Sequence, residues 1–307
     1  CPPEEPECWD GVYEADHFGC VCPQTEHEPD SFYGKEFYLD PEFGMKQSED
    51  CLYLNIWTPA NTVDEKLPVA FWIHGGAFMH GFSHESEFDG AAYCERGVIL
   101  VTINYRLGAF GFLAHPWLSE ESGVGRSGNY AILDQIAALK WVKENIAAFG
   151  GDSENITVFG QSAGCMSVQT LVSSPLTENW ISKAIFQSAG GYDTGLNRDM
   201  LLSEAETIGQ EFVELSGAKS LEELRAIPAE QIVELQEEFG RVNPSRMLSF
   251  VPNIDDYLLT CGYNEAVTER KIKDIPYMLG STADDIGVFP EMKEKGEHGG
   301  IYKGCIN

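Results

Sequence analysis

Residues 160–164 have the pattern Gly-x-Ser-x-Gly, with Ser162 at its centre. The run ITVF before them is apolar and β-branched, and the run after them is typical of a helix. A serine at a sharp turn from strand to helix presents its hydroxyl to a substrate, and flanking glycines let neighbouring elements pass close. The helix N-terminus also favours the negative charge that develops during attack. The pattern predicts a nucleophilic serine, and a purely structural glycine-rich turn is the alternative.

The letters QSAG recur at 187–190, around Ser188. Phe186 stands where the first pattern has a glycine, and no amphipathic helix follows at once. We therefore expect Ser188 at the end of the next strand, near the site but not acting as a nucleophile.

A second glycine-rich run, HGGAF at 74–78, follows a predicted strand. Attack by a serine on a carbonyl creates a tetrahedral oxyanion, which backbone N–H groups must stabilise. One donor is the residue after the nucleophile, here Ala163, and others come from a loop of this kind. The alternative is a tight turn between a strand and a helix. Since His74 precedes the serine in the chain, we expect it to brace the loop and not to act as a base.

Short apolar runs alternate with helical patterns, which predicts a mostly parallel sheet with helices on its faces. The predicted strands are Leu52–Thr58, Val69–His74, Val98–Tyr105, Ile156–Gly160, Ala184–Gln187 and Pro276–Gly280. Apolar spacing predicts one helix from Tyr130 to Phe149, which Gly150 ends, and a second from Ser162 to Ser173.

The segment from about 195 to 270 is acidic and has the pattern of amphipathic helices. Ser220 and Glu223 form a capping box, and Pro228 opens a further helix. No strand signal interrupts residues 200–240. We expect a helical insertion within a single domain of residues 1–307, either covering an active site or forming an outer layer.

Several segments together resemble the type-B carboxylesterase/cholinesterase-like family. They are SEDCLYLNIWTP (48–59), the HGGAF loop, VTINYRLGAFGFL (101–113), GNYAILDQIAALKWVKENIAAFGGD (128–152), VFGQSAG (158–164) and GSTADD (280–285). The resemblance implies the α/β-hydrolase fold and hydrolysis of carboxylic esters through an acyl-enzyme. It implies a small-molecule ester as the partner, and neither a metal nor a cofactor.

The resemblance also implies roles by position. The nucleophile is Ser162, and the oxyanion-hole donors are Gly76, Ala77 and Ala163. The acid of the triad falls on Asp285, with Asp284 as the second choice.

Two further features follow from the resemblance. Cys22 and Cys51 correspond to a common disulfide, which would form in an exported protein and remain two thiols in a reducing cytosol. Gln161 stands where many members carry glutamate, a departure we expect to be tolerated because this side chain makes no bond in the reaction.

The general base is missing from this pattern. His298 is the only histidine after Asp285, and residues 286–297 leave no room for the strand and helix that should precede a triad histidine. The resemblance places that histidine far beyond the acid. We therefore expect the chain to be incomplete at both ends, the full-length protein to be an esterase and the 307-residue chain alone to be nearly inert. Two alternatives are a compact enzyme that uses His298 and an inactive, binding or adhesion-type member of the fold.

Acidic residues outnumber basic residues by 49 to 20, which gives a formal net charge of −29. Such a surface repels phosphate, so we do not expect nucleic-acid binding. No apolar run approaches the roughly 18 residues of a membrane helix, and no signal peptide is visible. Composition leaves the compartment and the oligomeric state open.

Overall fold

A computed structural model of the chain describes residues 1–6, 10–26, 30, 35, 46–189, 199–243 and 248–282. Its strands are β1 (Leu54–Trp57), β2 (Leu67–Ile73), β3 (Ile99–Ile103), β4 (Gly151–Gln161), β5 (Lys183–Gln187), β6 (Met200–Leu201), β7 (Asn253–Ile254) and β8 (Tyr277–Gly280). Six of them form the main sheet, in the order β1-β3-β2-β4-β5-β8. β1 is antiparallel to β3, and the other four pairs are parallel. The mostly parallel sheet predicted from the sequence is therefore confirmed.

Helices flank this sheet in the described residues. They are α1 (Ala91–Cys94), α2 (Gly108–Phe112), α3 (Pro116–Glu121), α4 (Tyr130–Asn145), α5 (Ala163–Ser173), α6 (Leu202–Ser216), α7 (Leu221–Arg225), α8 (Ala229–Val242) and α9 (Tyr263–Thr268). Short 3₁₀ turns occupy Ser86–Phe88, Ile146–Phe149 and Pro175–Thr177. No helix in this part of the chain is both long and apolar enough to cross a membrane.

Several elements differ from the prediction in their bounds or their type, and three of these differences have an identifiable reason. β4 begins at Gly151 because it pairs there with Leu67, before a bulge shifts the register. α4 ends at Asn145 and continues as a 3₁₀ turn, which Gly150 closes with a φ of 79°. The prediction that no strand interrupts residues 200–240 is wrong at its start, since Met200–Leu201 pairs with Asn253–Ile254.

Both faces of the sheet carry an apolar core, because successive residues of a strand point to opposite sides. On β2, Phe71 and Ile73 belong to the larger core, which the helices α4 and α5 cover. Ala70 and Trp72 belong to a smaller cluster on the other face. Each fully buried side chain of this size contributes roughly 1.5–3 kcal/mol before entropy losses. The strands that carry the site are thus fixed from both sides.

The helices α6 to α8 lie in the segment predicted as an insertion. The side chain of Ser220 accepts a hydrogen bond from the N–H of Glu223 (3.2 Å), and the Glu223 carboxylate accepts one from Lys219 (2.7 Å). α6 packs closely on the chain that follows α2, where a Cβ on Gly209 would lie 1.7 Å from the carbonyl oxygen of Ala114. The helical segment therefore contacts the segment that follows β3.

Candidate active site

Ser162 lies between the end of β4 and the start of α5, with φ 55° and ψ −124°. This is a sparsely populated backbone conformation for a residue with a side chain, and it costs about 1–3 kcal/mol. The N–H of Ser162 donates to the carbonyl of Gln187 (3.0 Å), and its carbonyl accepts from Met166 (3.0 Å). These bonds hold the strained turn, and the side chain remains partly exposed. α5 begins one residue later than predicted because Ser162 is not helical.

The glycines of the motif are required by close backbone contacts. A Cβ on Gly160 would lie 2.5 Å from the carbonyl carbon of Gly164, and one on Gly164 would lie 2.1 Å from the carbonyl oxygen of Ile73. Side-chain carbons are almost never this close to other atoms. Both glycines of the Gly-x-Ser-x-Gly pattern are therefore needed because β2, β4 and α5 pack closely together at this point.

The loop after β2 is also strained. Gly76, Ala77 and Phe78 have φ values of 96°, 56° and 62°. The N–H groups of Met79 and His80 both donate to the carbonyl of Gly76 at 2.9 Å. Two successive non-glycine residues with positive φ are costly, and such strain is concentrated at functional sites.

The two glycine-rich segments meet at the serine. A Cβ on Gly75 would lie 2.8 Å from the carbonyl oxygen of Gln161 and 3.3 Å from Cβ of Ser162. In the described part of the chain, no group accepts a hydrogen bond from the N–H groups of Gly76, Ala77 or Ala163. Ala163 is the first residue of α5, where helical N–H groups lack a partner within the helix. Two unpaired donors therefore lie on the loop that contacts this turn, and the third directly follows the serine.

His74 lies beneath the loop. It is buried, its ring stacks on Tyr105 with centroids 4.4 Å apart, and its Nδ1 is 2.9 Å from the carbonyl oxygen of Gly75. The Tyr105 hydroxyl donates to the His74 carbonyl (2.9 Å). Burial lowers the pKa of His74 to about 4, so the ring is neutral near pH 7. These contacts brace the loop, in agreement with the expectation from the sequence.

Gln24 is a residue of this site that the sequence did not reveal. Its buried side chain accepts a hydrogen bond from the N–H of Gly81 (2.8 Å) and donates to the Gly81 carbonyl (3.1 Å). It therefore clamps the far end of the loop. Nothing in the local sequence could indicate this role, because its partner lies 57 positions away.

The structure links Cys22 to Cys51 through a disulfide, with Cα atoms 4.9 Å apart. The side-chain amide of Asn104 donates to the carbonyls of Cys20 (3.0 Å) and Cys51 (2.9 Å). The crosslink thus lies close to the start of the segment that carries Gln24.

Ser188 directly follows β5 and has a φ of 53°. Its N–H donates to the carbonyl of Gly280, the last residue of β8 (2.9 Å). Because β4, β5 and β8 are parallel and in register, the chain leaves β8 at the edge of the sheet where Ser162 lies.

Three sequence-predicted residues, Asp284, Asp285 and His298, lie outside the described residues. Within the described ranges, no group of three or more His, Cys, Asp or Glu side chains is arranged to hold a metal ion.

A mostly parallel sheet flanked by helices, with a strained serine turn at its carboxyl edge, defines the chain as an α/β-hydrolase. A model of the carboxylesterase family matches residues 1–301, and the chain belongs to that family.

Known esterases share both sequence and fold with this chain. It is 38% identical over 292 residues to the para-nitrobenzyl esterase of Bacillus subtilis (strain 168), covering 94% of this chain and 56% of the relative. It is 37% identical over 294 residues to the fumonisin B1 esterase of Sphingopyxis macrogoltabida, covering 94% and 51%. The crystal structure of a Geobacillus stearothermophilus carboxylesterase superposes with a TM-score of 0.79 at 38% identity, covering 96% of this chain and 56% of the other. The chain spans little more than half the length of these relatives.

Proposed function

We propose that the protein is a serine carboxylesterase that hydrolyses carboxylic esters through an acyl-enzyme on Ser162. The observation that carries the proposal is the contact between the strained Ser162 turn and the loop with the unpaired N–H groups of Gly76 and Ala77. Ala163 supplies a third such group next to the serine. A hydroxyl beside several unpaired backbone donors is the arrangement that acyl transfer requires.

The reaction follows from these groups. The Ser162 oxygen attacks the ester carbonyl while a base takes its proton, and the carbonyl oxygen becomes an oxyanion that accepts hydrogen bonds from Gly76, Ala77 and Ala163. The alcohol leaves with a proton when the C–O bond breaks, and the acyl group stays on Ser162. Water then attacks the acyl-enzyme and releases the carboxylic acid. Each oxyanion donor is worth about a hundred- to a thousandfold in rate.

The other two triad members are part of the proposal. Asp285 is the orienting acid, with Asp284 as the second choice, since the chain leaves β8 at the edge where Ser162 lies. The base is a histidine outside these 307 residues, as the family resemblance implies, and His298 is the alternative within them. His74 is unsuited to this role, because it is buried under the loop and its Nδ1 contacts Gly75.

The substrate class is a small-molecule ester. The names of two relatives state a para-nitrobenzyl ester and fumonisin B1 as their substrates. From these names we infer for this protein only that its substrate contains an ester bond. The net charge of −29 argues against polyanionic partners such as nucleic acids.

The test compares the complete protein, with whatever sequence flanks these residues, with its Ser162→Ala variant. We expect hydrolysis of p-nitrophenyl acetate to fall by about a millionfold, and a fluorophosphonate probe to label the wild type on the peptide that carries Ser162. Unchanged turnover in the variant would refute the proposal.

The alternatives are separated by the same measurements. A folded wild-type protein that neither hydrolyses esters nor reacts with the probe is a binding member of the fold. Activity of the 307-residue chain that disappears in His298→Ala identifies His298 as the base.

A further inference from the structure

A glutamine on the buried face of α8 contacts the chain near the site. Gln236 is only 6% exposed and lies between the buried Ile232 and Phe239 of the same helix. Its side-chain oxygen accepts a hydrogen bond from the N–H of Ala109 at 2.5 Å. A polar side chain at this position of an amphipathic helix requires a partner, and the N–H at α2 supplies it.

The partner segment is shaped for this contact. Gly108 has a φ of 50°, and a Cβ there would lie 1.8 Å from the Gln236 side-chain oxygen. Any side chain at position 108 would therefore push Gln236 away from Ala109. The glycine leaves room for the glutamine, whose bond to Ala109 joins residues 127 positions apart in the sequence.

The same segment holds the loop that carries the proposed oxyanion donors. The N–H of Gly108 donates to the carbonyl of Phe78 (2.7 Å). The ring of Phe112, at the other end of α2, packs edge-on against the ring of Phe78 with centroids 4.9 Å apart. Phe78 is fully buried, has a positive φ and directly follows Ala77. α2 therefore contacts the strained loop both through a backbone hydrogen bond and through a packed side chain.

We propose that Gln236 is a positioning residue for ester hydrolysis. By fixing α2 it fixes Phe78, and through Phe78 it sets where the N–H groups of Gly76 and Ala77 lie relative to Ser162. This inference rests on the proposed function of Ser162. It assigns to the helical segment a part in the reaction, beyond that of a cover or an outer layer.

The packing of α6 supports this link independently. Gly209 of α6 approaches the carbonyl of Ala114, two residues beyond α2, closely enough to exclude a side chain. The helical segment is thus docked on both α2 and the residues that follow it. A displacement of α8 would therefore reach the loop through few contacts, because only Gly108, Ala109 and Phe78 connect Gln236 to it.

The experiment measures the rate of Ser162 modification by a neutral fluorophosphonate in the complete protein. The variants are Gln236→Leu, which removes the acceptor at similar volume, and Gln236→Glu, which keeps an acceptor oxygen. Gln231→Leu is the matched control, since Gln231 lies exposed on the same helix. Rates are recorded over a range of reagent concentrations, at a temperature where circular dichroism shows every variant folded.

We expect the maximal labelling rate of Gln236→Leu to fall about ten- to a hundredfold, as misplaced catalytic groups typically produce. Its half-saturating concentration should change less than the rate does. Gln236→Glu should recover most of the rate, and Gln231→Leu should match the wild type. A purely structural role would lower the unfolding temperature of Gln236→Leu and leave the maximal rate of the folded protein unchanged.

Two outcomes separate this inference from the function on which it rests. If the wild type is not labelled on Ser162, the proposed function itself is wrong. If the wild type is labelled and Gln236→Leu reacts at the same maximal rate, or Gln231→Leu loses as much, the positioning role of Gln236 is overturned.

Discussion

The chain contains two serine turns built from the same letters, and only one of them has the surroundings of a nucleophile. Ser162 and Ser188 both follow strands of the parallel sheet, and their φ values are 55° and 53°. Their strands are neighbours, with Gln161 opposite Gln187 in the register. Positive φ and position at the sheet edge therefore do not distinguish a catalytic turn from a structural one.

The difference lies in what surrounds each turn. At Ser162, glycines admit β2 and α5, and the HGGAF loop lies against the serine. At Ser188, the buried Phe186 occupies the place of the first glycine, although the serine N–H is bonded to a neighbouring strand at both turns. A strained serine thus becomes a candidate nucleophile only where neighbouring backbone can approach it closely, as β2, α5 and the HGGAF loop do at Ser162.

The largest expected effect comes from closing the space behind Ser162. Gly164→Ala places a Cβ 2.1 Å from the Ile73 carbonyl, so α5 or β2 must move. We expect the rate of Ser162 labelling to fall at least about a hundredfold and the free energy of unfolding to fall by about 1–3 kcal/mol. The time course of fluorophosphonate labelling measures the rate, and urea denaturation measures the free energy of unfolding.

Gly240→Ala is the matched control, because nothing lies within 4 Å of a Cβ at that position of α8. It should leave labelling unchanged and raise the free energy of unfolding by about 0.5–1 kcal/mol. Equal losses in the two variants would contradict the steric account of the motif.

The next effect concerns the stability of the HGGAF loop, which lies against Ser162. The pKa of His74 is about 4 in the folded protein and 6.5 in an unperturbed histidine. The unfolded chain therefore binds a proton that the folded chain excludes, and stability is lost as the pH falls from 6.5 towards 4. At pH 4, His74 should account for about 3 kcal/mol of this loss.

The measurement is the free energy of unfolding of wild type and His74→Gln, recorded between pH 4 and pH 7. The difference between the two proteins should shrink as the solution is acidified. A constant difference would mean that His74 accepts a proton in the fold without cost.

A smaller effect is expected from the clamp at the end of the loop. Gln24→Leu leaves the buried N–H and carbonyl of Gly81 without partners, which should cost about 1–3 kcal/mol of stability. We also expect slower Ser162 labelling, measured by the same probe, because Gly81 ends the loop that carries Gly76 and Ala77. Gln47→Leu is the control, since it removes the acceptor for the backbone N–H of Gln24 and leaves the Gln24 side chain that bonds Gly81. Equal labelling in the two variants would remove Gln24 from the site.

The smallest effect tests the comparison directly. Ser188→Ala keeps the backbone bond to Gly280 and removes only a hydroxyl, so we expect ester hydrolysis to change by less than about threefold. A loss that approaches the effect of Ser162→Ala would show that the second turn takes part in the chemistry.

The sequence was informative wherever geometry imposes a residue type locally. Gly160 and Gly164 are required by backbone approach, so the turn at Ser162 could be predicted together with its strand and helix. The apolar runs of β2 and β3 likewise predicted the sheet, because strands buried on both faces contain little else.

The rest depends on contacts between distant residues. Gln24 and Gln236 reach backbone groups 57 and 127 positions away, and amide side chains leave no periodic pattern. The two-residue strands Met200–Leu201 and Asn253–Ile254 are too short to show alternation. The roles of Asp285 and His298 stay predictions, because both lie outside the described residues.

The disulfide between Cys22 and Cys51 has a consequence for how the site is assembled. Gln24 stands two residues after Cys22, so the crosslink tethers the clamp of Gly81 to a segment beside β1. Closing a loop of 29 residues in advance removes roughly 3–4 kcal/mol of chain entropy from the unfolded state. In the unfolded oxidised chain, the crosslink restricts the positions that Gln24 can adopt before it bonds Gly81. Reduction of the disulfide would remove this restriction.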